Sequence, residues 1–363
     1  MINLVWITNV PPPYRVPVFN LIAQDRRFSL TVIFCAERYP ESTWDYGEIE
    51  CAHVFLRECF YRKPGEIIHD NPDVLCHLRR INPDVVITSG FNPTMLYAYG
   101  YAQLYRKKHI PLSDGTLISE SHLSLVHRII RRVVFTGSCA FIGASDMTRV
   151  LYESYGVTRH RYFKSPLCVD NARFADVRSQ LKRYDVIFSA RFIELKNPLF
   201  VIELAAALRD PLQREISLLF VGKGPLEDAM RKRLQELKYK NFMFQGYVSQ
   251  RELPGLYASS RVLLFPSAND AWGVVVNEAC AAGLPVITTP YAGVAGELVR
   301  DSENGYICEL NIAAWTDRLQ RLLTDEALCQ SFSKKSVELV KKYNYEVAAE
   351  GVIEAVLFAT NRP

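Results

Sequence analysis

Arg191 and Lys196 stand five residues apart in the segment SARFIELKNP, directly after an apolar run that reads as a strand. Two cations between a strand and a helix suit a pyrophosphate. The guanidinium fork grips two oxygens at once, and the ammonium acts as a point charge. Taken alone, the pair reads more simply as a solvated loop. A second segment, FPSANDAWGVVVNEACAAGLPVITT, holds Asp270 and Glu278 with seven residues between them. Gly273 opens the helix in this segment, and no side chain there keeps a phosphate or sugar oxygen from the helix amides. Glu278 falls about a turn and a half into that helix, among Val, Ala and Cys. A carboxylate in such company needs a partner. A vicinal diol such as a ribose would satisfy both of its oxygens; an ion pair with a nearby Lys or Arg would serve equally well.

Other chemistries lack their motifs. The loop after the first apolar run is TNVPPPYRVP, with no glycine, so a G-x-G-x-x-G dinucleotide turn is missing there. The G-x-G of Gly222 and Gly224 is followed by Pro225 and is weak by itself. No G-x-x-x-x-G-K-[ST] occurs, and no Asp-x-Asp that would hold a divalent metal. All seven histidines lie in residues 1–165.

The elements that must position these residues alternate between short apolar runs and helical patterns, the signature of parallel sheets covered on both sides. Expected strands include INLVWIT, LTVIFC, VVITS and CAFIGA, then DVIFSA, SLLFVG, NFMFQG, VLLFP and PVITT. Expected helices include VPVFNLIAQ, PTMLYAYGYAQLYRKK, PLFVIELAAALR and VVVNEACAAG, with a glycine-bounded helix after PVITT. The polar stretch YFKSPLCVDNARFADVRSQLKRY reads as a hinge. The expectation is an α/β fold of two Rossmann-like doubly wound domains: 1–165, a linker 166–183, a second domain 184–344, and a C-terminal helix 345–363 crossing back to the first. Two such domains normally bind a ligand at the carboxyl ends of their strands.

Composition agrees with an ordinary globular chain. Of 363 residues, 49% are hydrophobic and 23% charged, and no 18-residue apolar run is present. Nine cysteines without a C-x-x-C pair suit reduced thiols in a cytoplasmic protein better than a disulfide framework or a zinc site. The start, MINLVWITNVPPPYR, reads as a strand and loop, not a signal peptide. The net charge of +4 is too small to imply nucleic acid. It lies wholly in residues 1–165, which carry 19 Lys and Arg against 15 Asp and Glu. Part of it sits in HLSLVHRIIRRVVF, where Leu123, Val126, Ile130, Val133 and Val134 share a helical face. The simpler reading packs that face on the core and leaves Arg128, Arg131 and Arg132 solvated. The alternative is a surface that leans on an anionic acceptor or on anionic lipid at the inner face of a membrane.

SARFIELKNP, FVGKGP, FQGYV, the D-x7-E element and GLPVI occur together and in order. In this the chain resembles the family 4 retaining glycosyltransferases of the GT-B fold, over nearly its whole length and most strongly from Asp185 to Glu309. Asp270 stands where the family's first Glu is usual. The resemblance implies that Arg191 and Lys196 hold the donor diphosphate, Glu278 the ribose, and Asp270 a sugar hydroxyl. Gly273, Val274 and Val275 would offer backbone amides, with Trp272, Gly222 and Gly224 also on the donor side, and Tyr247 and Val248 would flank the base. Tyr14 and Arg15, in the triple-proline loop, would line the acceptor side, and Asp114 would stand where the family often has a histidine.

The function so implied is transfer of a hexose-type sugar from a nucleotide diphosphate sugar, a UDP-sugar on family grounds, to a glycan or lipid-linked glycan in polysaccharide biosynthesis. No cofactor and no metal are expected; the nucleotide sugar is a co-substrate. Two alternatives share parts of the pattern: a GT-B nucleotide-sugar 2-epimerase, which needs no acceptor, and a non-catalytic two-domain sugar-binding protein.

Overall fold

The computed structural model describes residues 1–39, 45–63, 66–177 and 181–361. The chain forms two units, one of residues 1–167 and 345–363, the other of residues 168–344.

In the first unit the order is β1 (Ile2–Thr8), α1 (Val16–Gln24), β2 (Phe28–Phe34), β3 (Ala52–Phe55), β4 (Phe60–Lys63), β5 (Glu66–His69), α2 (Val74–Ile81) and β6 (Val85–Ser89). Then follow α3 (Pro93–Leu104), β7 (Lys108–Leu112), α4 (Leu125–Thr136), β8 (Phe141–Gly143), α5 (Asp146–Ser154) and β9 (Tyr162–Lys164). Seven strands make a parallel sheet in the order β3-β2-β1-β6-β7-β8-β9, while β4 and β5 form a separate antiparallel hairpin. The central strands are nearly continuous apolar runs because both faces of the sheet are covered; Leu4–Ile7 and Val85–Ile87 have no exposed side chain.

The second unit runs α6 (Asn171–Ala175), β10 (Tyr184–Ser189), α7 (Pro198–Ala207), α8 (Arg209–Leu212), β11 (Leu218–Val221), α9 (Glu227–Glu236) and β12 (Phe242–Gly246). It continues with α10 (Leu253–Ala258), β13 (Ser260–Phe265), α11 (Val274–Ala281), β14 (Val286–Thr288), β15 (Gly305–Ile307), α12 (Ile312–Thr324) and α13 (Glu326–Val340). Its parallel sheet has the order β12-β11-β10-β13-β14-β15. The last helix, α14 (Tyr345–Thr360), returns to the first unit and packs on α1, β7, β8 and β9.

In each sheet the direction of winding reverses beside the first strand, between β1 and β6 and between β10 and β13. Loops leaving those neighbouring strands diverge and open a crevice at their carboxyl ends. The fold is α/β, with a doubly wound parallel sheet in each unit.

Three expectations need correction. The hinge of 162–184 is partly ordered structure: Asp170 accepts the amides of Ala172 and Arg173 and starts α6, and 168–177 belong to the second unit. Residues 178–180 of the expected linker and 362–363 of the expected last helix lie outside the described residues. No helix lies between β14 and β15; Gly296 takes a φ of 78°, and residues 290–304 are turns and isolated bridges. Helix α4 is rotated from its expected setting. It buries Arg131, Val134 and Phe135, whereas Leu125, Val126, Ile129 and Val133 face outward. Arg131 is held by Glu120 at 2.7 Å and lies over the Phe91 ring at 4.3 Å. Among the described residues no helix is long and apolar enough to cross a membrane.

Candidate functional site

In the second unit the loops after β10 and β13 are stitched together. Leu195 C=O accepts the amide of Ala268 at 2.9 Å, and Asn197 Nδ2 donates to Pro266 C=O at 2.8 Å. Asn197 sits at φ 50°, just before Pro198 opens α7. This packing carries Lys196 to Asp270: its ammonium donates to Asp270 Oδ2 and, at 3.2 Å, to Ser267 Oγ. The same ammonium lies 5.5 Å from the centre of the Phe265 ring, a cation–π contact. Asp270 Oδ1 accepts the amide of Trp272 at 3.2 Å, so the carboxylate is fixed from both ends.

Gly273 caps α11 with φ 102°. A side chain there would be strained, and a Cβ would lie 2.7 Å from Phe265. The half-buried residues Val274 and Val275 follow, and their amides begin the helix with no carbonyl of an earlier turn to bond. Arg191 is exposed at the carboxyl end of β10 and makes no ion pair with a described residue. The switch point thus combines one solvated guanidinium, one ammonium already shared with a carboxylate, and a helix N-terminus. All three favour an anion.

Glu278 is not in an ion pair with a described residue. The buried Tyr257 hydroxyl donates to its Oε2 at 2.7 Å. Burial pushes the carboxyl up to about 7, with the Tyr257 hydrogen bond acting weakly the other way. The folded protein therefore holds this proton more tightly than the unfolded chain does. The stability it contributes is full below about pH 4.5 and is lost as pH rises through about 7.

Some expected donor residues have other duties. Trp272 is fully buried, and its indole N–H donates to Asn277 Oδ1 at 2.7 Å, so its ring belongs to the core and not to a ligand surface. Gly222 and Gly224 are required by the protein itself. A Cβ on Gly222 would lie 2.0 Å from Ala190 O, and one on Gly224 2.4 Å from Phe192 O. Both let the GKG loop press on the backbone that carries Arg191; Phe192 N bonds Lys223 O at 2.9 Å. Tyr247, exposed, and Val248 follow β12 at the sheet edge.

The first unit has its own cavity of about 250 Å³ beside its switch point, lined by Thr8, Asn9, Tyr14, Ser89, Gly90 and Asp114 among others. The prolines before it have no N–H to offer, and Pro12 C=O instead accepts the amides of Arg15 and Val16, which starts α1. Arg15 is not a free contact for a substrate. It is 3% exposed, and its guanidinium donates to Ser165 Oγ at 2.6 Å and to Ser165 O at 3.0 Å. Asp114 Oδ1 is buried without a hydrogen bond, 3.8 Å from Arg15 Nη2. Burial raises the proton affinity of Asp114, and the Arg15 charge opposes that shift.

The residues missed from sequence are neutral. Tyr257 and Ser267 hold Glu278 and Lys196, and Thr8, Asn9 and Ser89 line the first cavity. Only their positions, one or two residues past strand ends, could have pointed to Ser267 and Asn9.

Residues 170–338 match the family model described as glycosyl transferases group 1. Among curated proteins, the D-inositol 3-phosphate glycosyltransferase of Salinispora arenicola is 29% identical over 225 residues, which is 58% of this chain and 50% of that protein. The chain thus spans about half the length of such relatives. Solved structures match over nearly the full length. The sucrose-phosphate synthase of Thermosynechococcus elongatus covers 99% of this chain and 100% of its own at TM-score 0.77 and 16% identity. Anabaena HepE, solved with UDP and glucose, covers 98% and 99% at TM-score 0.72 and 14% identity. At these identities the structures establish the fold. The family model thus matches most of the second unit, and the curated relatives that the chain matches are named for sugar transfer.

Proposed function

We propose that the chain is a metal-independent, retaining glycosyltransferase that moves a hexose-type sugar from a UDP-sugar to a glycan or lipid-linked glycan acceptor in polysaccharide assembly. The observation that carries this reading is the meeting of Lys196, Asp270 and the start of α11 where the second sheet changes its winding direction. Arg191, Lys196 and the amides of Val274 and Val275 receive the donor diphosphate. Asp270 takes a sugar hydroxyl, Glu278 the ribose diol, and Tyr247 and Val248 flank the base.

In the transfer, the bond from the anomeric carbon to the phosphate oxygen breaks as the acceptor oxygen bonds to the same face of that carbon. The acceptor hydroxyl proton passes to the departing phosphate oxygen. Charge grows on that phosphate, and preorganised cations and amides stabilise it without reorganising. Asp114 and Tyr14 contribute the acceptor side in the first unit. A cytoplasmic enzyme peripheral to the inner face of a membrane suits a lipid-linked acceptor.

A panel of UDP-, GDP- and ADP-sugars tests the reading by thermal stabilisation and by donor hydrolysis. A UDP-sugar at 100 times its Kd should add about 2.7 kcal/mol. Failure of every nucleotide sugar to stabilise the protein or to be hydrolysed would falsify the assignment.

Glu278→Gln gives a sharper check. The amide keeps the shape and loses the charge, so donor affinity at pH 8 should fall by about 1.5–3 kcal/mol. Wild-type affinity should strengthen from pH 6 to pH 8, as the carboxyl that titrates near 7 ionises, and the variant should be flat across that range. Calorimetry at the two pH values decides it; an unchanged pH slope in the variant removes Glu278 from the diol.

A further inference from the structure

Helix α4 turns an aliphatic stripe to the outside. Leu125 is 73% exposed, Val126 64%, Ile129 53% and Val133 54%. At 3.6 residues per turn these four fall within an arc of about 100°, directly opposite the buried Arg131, Val134 and Phe135. Leu117 and Ile118, in the turns just before the helix, are exposed as well. Single exposed apolar residues are ordinary; a contiguous row along one helix is not.

Arg128 and Arg132 border the stripe on one side, and His122 and His127 are exposed on the same segment. No Asp or Glu occurs anywhere from Ser121 to Ser145. Glu120, just before this stretch, is spent on the buried Arg131. The face is therefore apolar along its centre and cationic at its border.

We infer that this face of α4 docks on an anionic phospholipid surface, with Leu125, Val126, Ile129 and Val133 entering the headgroup–acyl boundary and Arg128 and Arg132 meeting lipid phosphates. A helix lying in the interface sinks its apolar face about 5–10 Å and gains from anionic lipid. Charge complementarity selects this occupant over a second copy of the chain, whose own α4 face would bring further arginines and no carboxylate to meet Arg128 and Arg132. The inference deepens the lipid-linked acceptor reading and rests on it for its purpose, although the binding itself needs neither donor nor acceptor.

Co-sedimentation of the full chain with phosphatidylglycerol–phosphatidylcholine vesicles, without either substrate, is the test. Binding should be strong at low salt, fall several-fold at physiological salt, and be weak on pure phosphatidylcholine. Ile129→Asp with Val133→Asp should reduce it more than about tenfold, and Arg128→Gln with Arg132→Gln should remove most of the salt dependence. Unchanged thermal melts show that the variants fold. Absence of binding at low salt, or equal binding by the variants, overturns the inference. So does a solution dimer that the Asp variants dissociate, which would give the face to a second copy. Transfer to a soluble acceptor is measured separately, so loss of vesicle binding and loss of catalysis are distinguishable.

Discussion

Lys196→Ala should lower kcat about 100- to 1,000-fold while KM changes much less. The asymmetry follows from the ion pair. In the free protein Lys196 already shares its charge with Asp270 and Ser267. A ground-state diphosphate therefore gains little from it. Charge that develops on the leaving phosphate gains more, because only interactions stronger in the transition state raise kcat. Removing the ammonium also leaves Asp270 as an uncompensated negative charge beside the diphosphate, which adds to the loss. Steady-state kinetics with a UDP-sugar separates the cases: an effect confined to KM would make Lys196 a ground-state anchor. EDTA should leave the wild-type rate nearly unchanged, and activity abolished by EDTA and restored by Mn²⁺ would end the metal-independent mechanism.

Gly351→Ala should destabilise the first unit by about 3 kcal/mol. Gly351 lies where α14 touches the end of β9. A Cβ there would sit 1.9 Å from Lys164 O and 2.8 Å from its carbonyl carbon, so the helix must move away. What it moves away from is a relay: Arg15 donates to Ser165 Oγ, and Ser165 Oγ donates to Ala348 O at 2.8 Å. Gly100→Ala is the matching control. It sits in α3 with nothing within 4 Å of its Cβ position, and it should be neutral or stabilising by about 0.5–1 kcal/mol. Thermal melts of the two variants test the contrast; equal melting temperatures would mean that α14 is loosely seated. Donor affinity should be unaffected by either change, because the donor residues lie in residues 168–344.

The sequence made the parallel architecture legible because buried parallel strands are continuous apolar runs, and INLVWIT and VVITS needed no other signal. The same rule hid β7: KHIPL carries a proline and opens on a lysine, and its ladder to β8 is a single pair, Leu112 with Ile142. In the site, charged residues announced themselves by type and spacing. Their neutral supports did not, since a serine or tyrosine in an apolar run looks like core until packing reveals what its hydroxyl holds. Gly222, Gly224 and Trp272 misled for the reverse reason. They belong to a motif associated with ligand, yet each is required by backbone contact or burial. Helix α4 shows the limit of periodicity, which finds an apolar face but not the direction it turns.

The first unit is discontinuous: residues 1–167 form it together with a helix from the far end of the chain. During synthesis the patch on α1, β7, β8 and β9 that α14 covers must wait for the whole second unit to emerge. At about 5–20 residues per second that wait lasts roughly 10 to 35 seconds. For that interval the nascent first unit presents an uncapped apolar groove while the second unit, contiguous in sequence, is free to fold. The first unit is thus completed only after the second has been translated, by a helix that follows the second in the chain.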